Sequence, residues 1–235
     1  MQLTKTKKIF VAVFATILLI CGMLILTACD DETTQNVSTY EELVNAMNGD
    51  SDIIRLTDDI VVEGQIDVTR DVELDMNGKT LSNTEMIYNL DINSWAILCV
   101  QKDGDLTITG NGKVLTLEDD CFAVCVVDGG NLVIENGEYV GNIHSIYVMQ
   151  GTALINGGTY SIQQVQSVDK PYEYILNLLD ENYTNKTASI VVTGGTFVKF
   201  NPQNNQAEGA NTNFLADGYV SQYDEVSETY TVTRA

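Results

Sequence analysis

The stretch NGGTY at residues 156–160 is one of five copies of a short glycine phrase, with NGKT at 77–80, NGKV at 111–114, NGEY at 136–139 and GGTF at 194–197. Alignment of the copies puts Gly78, Gly112, Gly137, Gly158 and Gly195 in one column, preceded by Asn77, Asn111, Asn136, Gly157 and Gly194. Asn and Gly are the residues that most readily take a left-handed backbone. Two adjacent columns confined to them therefore predict a recurring corner of positive φ. Apolar residues spaced by two lead into that corner at Leu132 and Ile134, Ala153 and Ile155, and Ile190 and Val192. That spacing is a strand with one buried face.

A second strand column lies upstream, at Ala96–Val100, Phe122–Val126 and 143–148. Cys99, Cys125 and Ile146 each fall nine residues before Ile108, Ile134 and Ile155, and the same count sets His144 beside Ile97 and Ala123. Each unit thus offers two short strands and a glycine corner, as expected of a repeat whose units bury their apolar sides only by stacking. Asn-Gly between β-like runs also signals hairpins, and an antiparallel meander is the rival topology. A tight hairpin at Asn136-Gly137 would set Glu135 opposite Glu138, a like-charge pair that destabilises a sheet, which favours the parallel stack. Before the repeat, Ser38 and Glu41 predict a capping box, Leu43, Ala46 and Met47 an apolar helical stripe, and Gly49 its stop. No further helix is expected after Ile53.

These features, with VELDMNGKTL at 72–81, FLADGY at 214–219 and TYTV at 229–232, resemble the right-handed parallel β-helix repeat proteins of the pectate-lyase-like superfamily, in particular small exported bacterial members. The resemblance covers residues 38–235. It implies an all-β, single-domain right-handed parallel β-helix (a solenoid) with a short N-terminal capping helix. The superfamily's lyases combine calcium-binding carboxylates with a basic residue, and its polygalacturonases use clustered aspartates with a histidine and a basic pair. Neither set can be placed on this chain: Arg55 and Arg70 lie in the early units, Arg234 at the end, and His144 is the single histidine.

The N-terminus carries Lys5, Lys7 and Lys8, an apolar run from Ile9 to Leu26 and then a polar stretch, which is the layout of an export signal. Its end, Leu26-Thr27-Ala28-Cys29, resembles the lipobox of bacterial lipoproteins, in which the cysteine is lipidated, palmitate being the expected kind of chain. The implied division is a signal peptide at 1–28, a lipidated polar tether at 29–37 and the β-helix domain at 38–235. The expected location is the extracytoplasmic face of the cell membrane. The alternative is an uncleaved span, since an apolar run of this length just crosses a bilayer. Without the signal the chain holds 9 basic and 33 acidic side chains, a net charge of -24. Such a field repels nucleic acid, which is excluded as a partner. Cys99, Cys121 and Cys125 are odd in number and lack C-x-x-C spacing, so neither a disulfide framework nor a zinc site is indicated.

No catalytic residues emerge from the spacing. Glu118, Asp119 and Asp120 form the densest acidic cluster and are the candidates for a metal site, calcium being the cation such oxygens would take. No other cofactor is called for. Segment 165–189 lengthens one unit and carries Tyr172, Tyr174 and Tyr183, the candidate binding residues, on what repeat proteins often use as a binding face. The expected function is a membrane-anchored, non-catalytic surface module that binds a polysaccharide or a surface protein. The alternatives are a divergent polysaccharide lyase or glycoside hydrolase centred on Glu118–Asp120, and a structural spacer.

Overall fold

The computed structural model describes residues 32–235; residues 1–28, expected to be an export signal, and Cys29, the expected lipidation site, lie outside the described residues. Among the described residues no helix is long and apolar enough to cross a membrane. The chain is mostly β, arranged as a parallel-strand repeat in three sheets. Each pass contributes one strand to each sheet. The first pass is β2 (Ile53–Leu56), β3 (Ile60–Val62) and β4 (Ile66–Val68), following β1 (Thr34–Val37). The second is β5 (Asp71–Asp75), β6 (Thr80–Asn83) and β7 (Ala96–Val100), and the third β8 (Asp105–Thr109), β9 (Lys113–Leu115) and β10 (Phe122–Val126). Then come β11 (Gly130–Ile134), β12 (Glu138–Gly141) and β13 (Ile146–Val148), followed by β14 (Gly151–Ile155), β15 (Thr159–Ile162) and β16 (Leu176–Leu178). The stack finishes with β17 (Ala188–Val192) and β18 (Gly195–Val198), and β19 (Tyr219–Asp224) with β20 (Thr229–Arg234) adds an antiparallel hairpin to β18.

The meander is therefore overturned: consecutive passes pair in parallel, and Glu138 meets Lys113 of the previous pass at 2.9 Å rather than Glu135. Two strands per unit become three, because the residues just after each corner also pair. Residues 34–37, expected as part of the tether, form the first strand and bury Val37 against the core.

The glycine column is corrected in detail. Gly137, Gly158 and Gly195 share a corner, with φ of 111°, 96° and 106°. Gly112 stands in register with them but has no positive φ; it is glycine because a Cβ would run into the Met76 Cβ and the Lys79 carbonyl oxygen. Gly78 is one residue out of register, since the first of these corners holds an extra residue: Asp75 pairs with Thr109, but Thr80 pairs with Lys113. Asn77 and Gly78, at φ 47° and 73°, form a tight turn closed by Lys79 N–H donating to the Met76 carbonyl. The preceding column is not left-handed in the later passes. Gly157 and Gly194 are there because a Cβ would strike the carbonyls of Glu135 and Asn156 in the pass before.

The central core takes its residues from all three sheets, including Leu74, Ile108, Ile134 and Ile155 from one wall. Below the corners, Tyr139, Tyr160 and Phe197 stack at centroid separations of 5.3 and 4.9 Å. The two buried phenols donate to the corner carbonyls of Asn136 and Gly157, which is how polar groups are tolerated there. The first helix, α1 (Tyr40–Met47), buries Leu43, Ala46 and Met47 against this core. Its cap lies one residue later than expected: Thr39 Oγ1 accepts from Glu42 N–H, and the Glu42 carboxylate takes the Ser38 N–H. Asn48 is the C-cap and Gly49 follows it, its N–H donating to the Ala46 carbonyl, and the Arg70 guanidinium covers the carbonyls of Ala46 and Met47. A second short helix, α2 (Asp180–Thr184), lies within segment 165–189, against the expectation of no helix after Ile53; β16 lies there too.

Candidate functional site

The five-stranded sheet, β4-β7-β10-β13-β16, differs from the other two because its outer face is covered. Strands β7 and β10 are buried at every residue. Ile97, Leu98, Ala123 and Val124 all join the central core, so strict alternation breaks there, while Ala96, Cys99, Phe122 and Cys125 form a second apolar cluster outside. Tyr88, Trp95 and Met149 roof that cluster. Asp120 holds the roof in place. Its buried carboxylate accepts from the Asn83 amide at 2.6 Å and from the Ile87 and Tyr88 N–H groups at 2.9 and 2.8 Å. Glu118 and Asp119 remain exposed, so the acidic triplet does not converge on one point. Among the described residues no three His, Cys, Asp or Glu side chains are grouped so as to hold a metal ion.

Along the outer face runs a row read directly from the register: Asp67, Cys99, Cys125, Tyr147, Asn177. Counting nine residues back had put Ile146 in this row. The turn between β13 and β14 is one residue shorter than that between β10 and β11, so Ile146 falls beside Val124 and Tyr147 takes the outer place. The same shift moves His144 out of the Ile97–Ala123 column to pack on Phe122, at 4.8 Å between centroids, and on Tyr147 at 4.9 Å. His144 is buried, and its Nδ1–H donates to the Tyr174 carbonyl at 2.6 Å. Burial pushes its pKa down to about 4, so at neutral pH it is an uncharged packing group.

Where the row turns from thiol to phenol to amide, the cover opens into a cleft of about 650 Å³. Tyr147 and Asn177 come from the sheet, Asp180 and Tyr183 from α2, Tyr174 from the preceding segment and Glu208 from the loop before β19. Glu208 Oε1 accepts the Leu178 N–H at 2.7 Å, the place a further strand would occupy on this sheet edge. Burial raises the Glu208 pKa to about 7; the bond from Leu178 opposes the rise and the neighbouring Asp180 charge adds to it. The Tyr147 phenol is likewise raised, chiefly by burial and then by Asp180 and Glu208. A second hollow of about 260 Å³, walled by Trp95, shares Leu179 with the cleft.

No protein-family model, curated protein or solved structure matches this chain. The cleft itself therefore carries the functional reading. Of the candidate tyrosines, Tyr174 and Tyr183 line it. Tyr172 does not; it lies under the Lys199 ammonium, 5.3 Å from the ring centroid. Sequence reasoning missed Tyr147, Asn177, Asp180 and Glu208. Only the register could have brought Tyr147 and Asn177 together, and Glu208 arrives from a loop with no periodic signal.

Proposed function

We propose that this protein is a lipid-anchored, extracytoplasmic glycan-binding module whose ligand lies along the outer face of the five-stranded sheet. The observation that carries the reading is the cleft: tyrosine rings at Tyr147, Tyr174 and Tyr183 beside amide and carboxylate groups, the combination that stacks on a sugar ring and bonds its hydroxyls. The Trp95 hollow, sharing Leu179, offers a neighbouring ring-sized site for a polymer. Three sheets of parallel strands are compatible with a right-handed β-helix of the pectate-lyase-like kind, with α1 as its N-terminal cap and the β19–β20 hairpin at its other end. Anchoring rests on the Leu26-Thr27-Ala28-Cys29 sequence. It is tested by fractionating Cys29→Ala, where unchanged membrane attachment would point to a spanning segment instead.

A second reading has its own observation. A carboxyl held protonated near neutrality beside a carboxylate, Glu208 with Asp180, is the pairing that general acid–base cleavage of a glycosidic bond uses. One experiment addresses both readings. The full-length chain in detergent is titrated with plant, host and bacterial polysaccharides, with calcium and with EDTA. Fluorescence of Trp95, the chain's single tryptophan, reports binding, and new reducing or unsaturated ends report turnover. Saturable binding weakened by Tyr174→Ala or Tyr183→Ala, without product, is expected. Product formation abolished by Glu208→Gln would replace the binding module with an enzyme. Binding indifferent to all three substitutions would remove the cleft as the site.

A further inference from the structure

We propose that the cleft selects a sugar carrying a free ammonium group, an unacetylated amino-sugar unit, which Asp180 and Glu208 receive while the tyrosines hold the ring. The inference rests on the glycan-binding reading and adds the chemistry of the ligand.

Three observations converge on a positively charged donor. First, the wall is rich in acceptors that nothing in the protein serves. Among the described residues four buried side-chain polar atoms lack a hydrogen-bond partner, and two of them, Asn177 Oδ1 and Glu208 Oε2, belong to this one cleft. A buried acceptor left without a donor costs about 1–3 kcal/mol, so a donor ligand recovers energy that a ligand made only of acceptors cannot. Both oxygens are shielded from solvent, so a ligand's donor would meet them only if the side chains turn toward the cleft. Second, Asp180 lies close enough to Glu208 for its charge to oppose ionisation there. An ammonium between the two relieves that repulsion and favours the ionised pair. Third, Tyr147, Tyr174 and Tyr183 line the site; His144 stacks on one face of Tyr147 and the Lys186 ammonium lies 4.7 Å from the Tyr183 centroid, so a second cation or a sugar C–H surface would meet Tyr174 and the opposite faces of the other two. The charged and titratable groups around Glu208 are Asp180 and Tyr183 on α2, Tyr147 on β13, and Lys170 and Tyr174 on the preceding segment. Glu173 of that segment accepts the Gln206 N–H two residues before Glu208. Lys170 is the one cation in the lining and Lys186 lies over the Tyr183 ring, so with Asp180 and Glu208 ionised the charges balance, and Glu173 beside them leaves an excess of negative charge. The strongly acidic chain draws a polycation toward it.

The proposal fixes a pH signature. The unliganded Glu208 carboxyl titrates at about 7. An ammonium prefers its ionised form, so binding below neutrality, where the sugar amine is already charged and Glu208 still largely protonated, releases protons, and affinity climbs as pH rises toward 7. It falls again once the sugar amine loses its own charge.

The test compares glucosamine oligomers having free amines with N-acetylated oligomers of equal length and with an oligolysine peptide. Binding to the full-length protein in detergent is measured by calorimetry in buffers of different ionisation enthalpy. The expected result, at about pH 6 where the amine is charged, is that the free-amine oligomer binds at least about tenfold more tightly than the acetylated one, with proton release. Glu208→Gln, which keeps an oxygen for the Leu178 N–H, should erase the preference and the proton release without lowering the unfolding temperature. Asp180→Asn provides a second, independent variant and should weaken the same preference. Equal binding of free-amine and acetylated oligomers overturns the inference and leaves the glycan reading standing. No binding of either oligomer overturns the inference alone, and oligolysine binding as tightly overturns both it and the glycan reading.

Discussion

Cys99 and Cys125 sit directly opposite each other on adjacent parallel strands, both fully buried, and they lie on the outer side of their sheet rather than in the central core. The Gln101 amide donates to the Cys99 sulfur, and burial, aided by the neighbouring Cys99 thiol, raises the Cys125 pKa well above its ordinary value. Such thiols are poor nucleophiles. In the native protein Cys99, Cys121 and Cys125 should resist alkylation and remain unpaired, all three reacting once the chain is unfolded in urea. Mass spectrometry of alkylated samples checks this, and rapid native labelling at Cys125 would contradict it.

Asp120 supplies the matching perturbation. Asp120→Ala leaves the Ile87 and Tyr88 N–H groups without their acceptor, at a cost of about 1–3 kcal/mol, and frees the cover over the second cluster. The expected outcome is faster alkylation of Cys99 and Cys125 at a urea concentration where the central core is still folded. Loss of all structure in one step, with no separate exposure of the thiols, would show that cover and core form a single cooperative unit.

The corners divide into two physical kinds that mutation can tell apart. Gly137→Val and Gly158→Val force a β-branched residue to positive φ and should each cost about 1–3 kcal/mol. At Gly112 the obstruction is steric, from the Met76 Cβ and the Lys79 carbonyl oxygen, so Gly112→Ala should already destabilise and Met76→Ala, which keeps that Cβ, should not rescue it, whereas Met76→Gly should relieve part of the clash and do nothing for Gly137→Val. Unfolding midpoints of the single and double variants measure the difference.

Stability should respond to pH through two groups of opposite sign. His144 stays neutral in the fold down to about 4, whereas the unfolded chain takes its proton near 6.5, so its contribution is complete above 6.5 and is lost as pH falls. At about 1.36 kcal/mol per unit, this amounts to about 3 kcal/mol at most. Glu208 holds its proton up to about 7 in the fold against 4.5 when unfolded, so its contribution is present at low pH and is lost as pH rises through that window. For a half-exposed group this is discounted to about 1–2 kcal/mol. Between pH 4.5 and 6.5 the two slopes oppose each other, and Glu208→Gln should steepen the rise of stability with pH. Urea midpoints across that range provide the measurement.

The recurring glycine phrase carried the repeat and its parallel sense, because a corner rebuilt in every pass leaves both a conformational and a steric mark on the chain. The strands after each corner were hidden: Lys113–Leu115 and Glu138–Gly141 are too short for a period of two to be visible. Equal counting failed at Tyr147 because strand register depends on turn length, which composition does not reveal. The tyrosine-bearing segment did lead toward the cleft, through Tyr174 and Tyr183. Its acidic partners stayed out of reach: Glu208 is brought to Leu178 by a loop, and the cluster at Glu118–Asp120 contributes a single inward-facing carboxylate that serves the fold.

The short turn after β13 holds Met149 and Gln150, where the turn after β10 holds Val127, Asp128 and Gly129. Gaining or losing one residue there slides the sequence by one place relative to the strand column, exchanging which side chains face outward while the sheet keeps its hydrogen bonds. A stack of this kind can therefore acquire a new recognition surface by a single-codon deletion in a turn, without a substitution in any strand. The wall that Tyr147 gives the cleft has its place from such a difference: chemistry set by the length of a connection, and only secondarily by the residues connected.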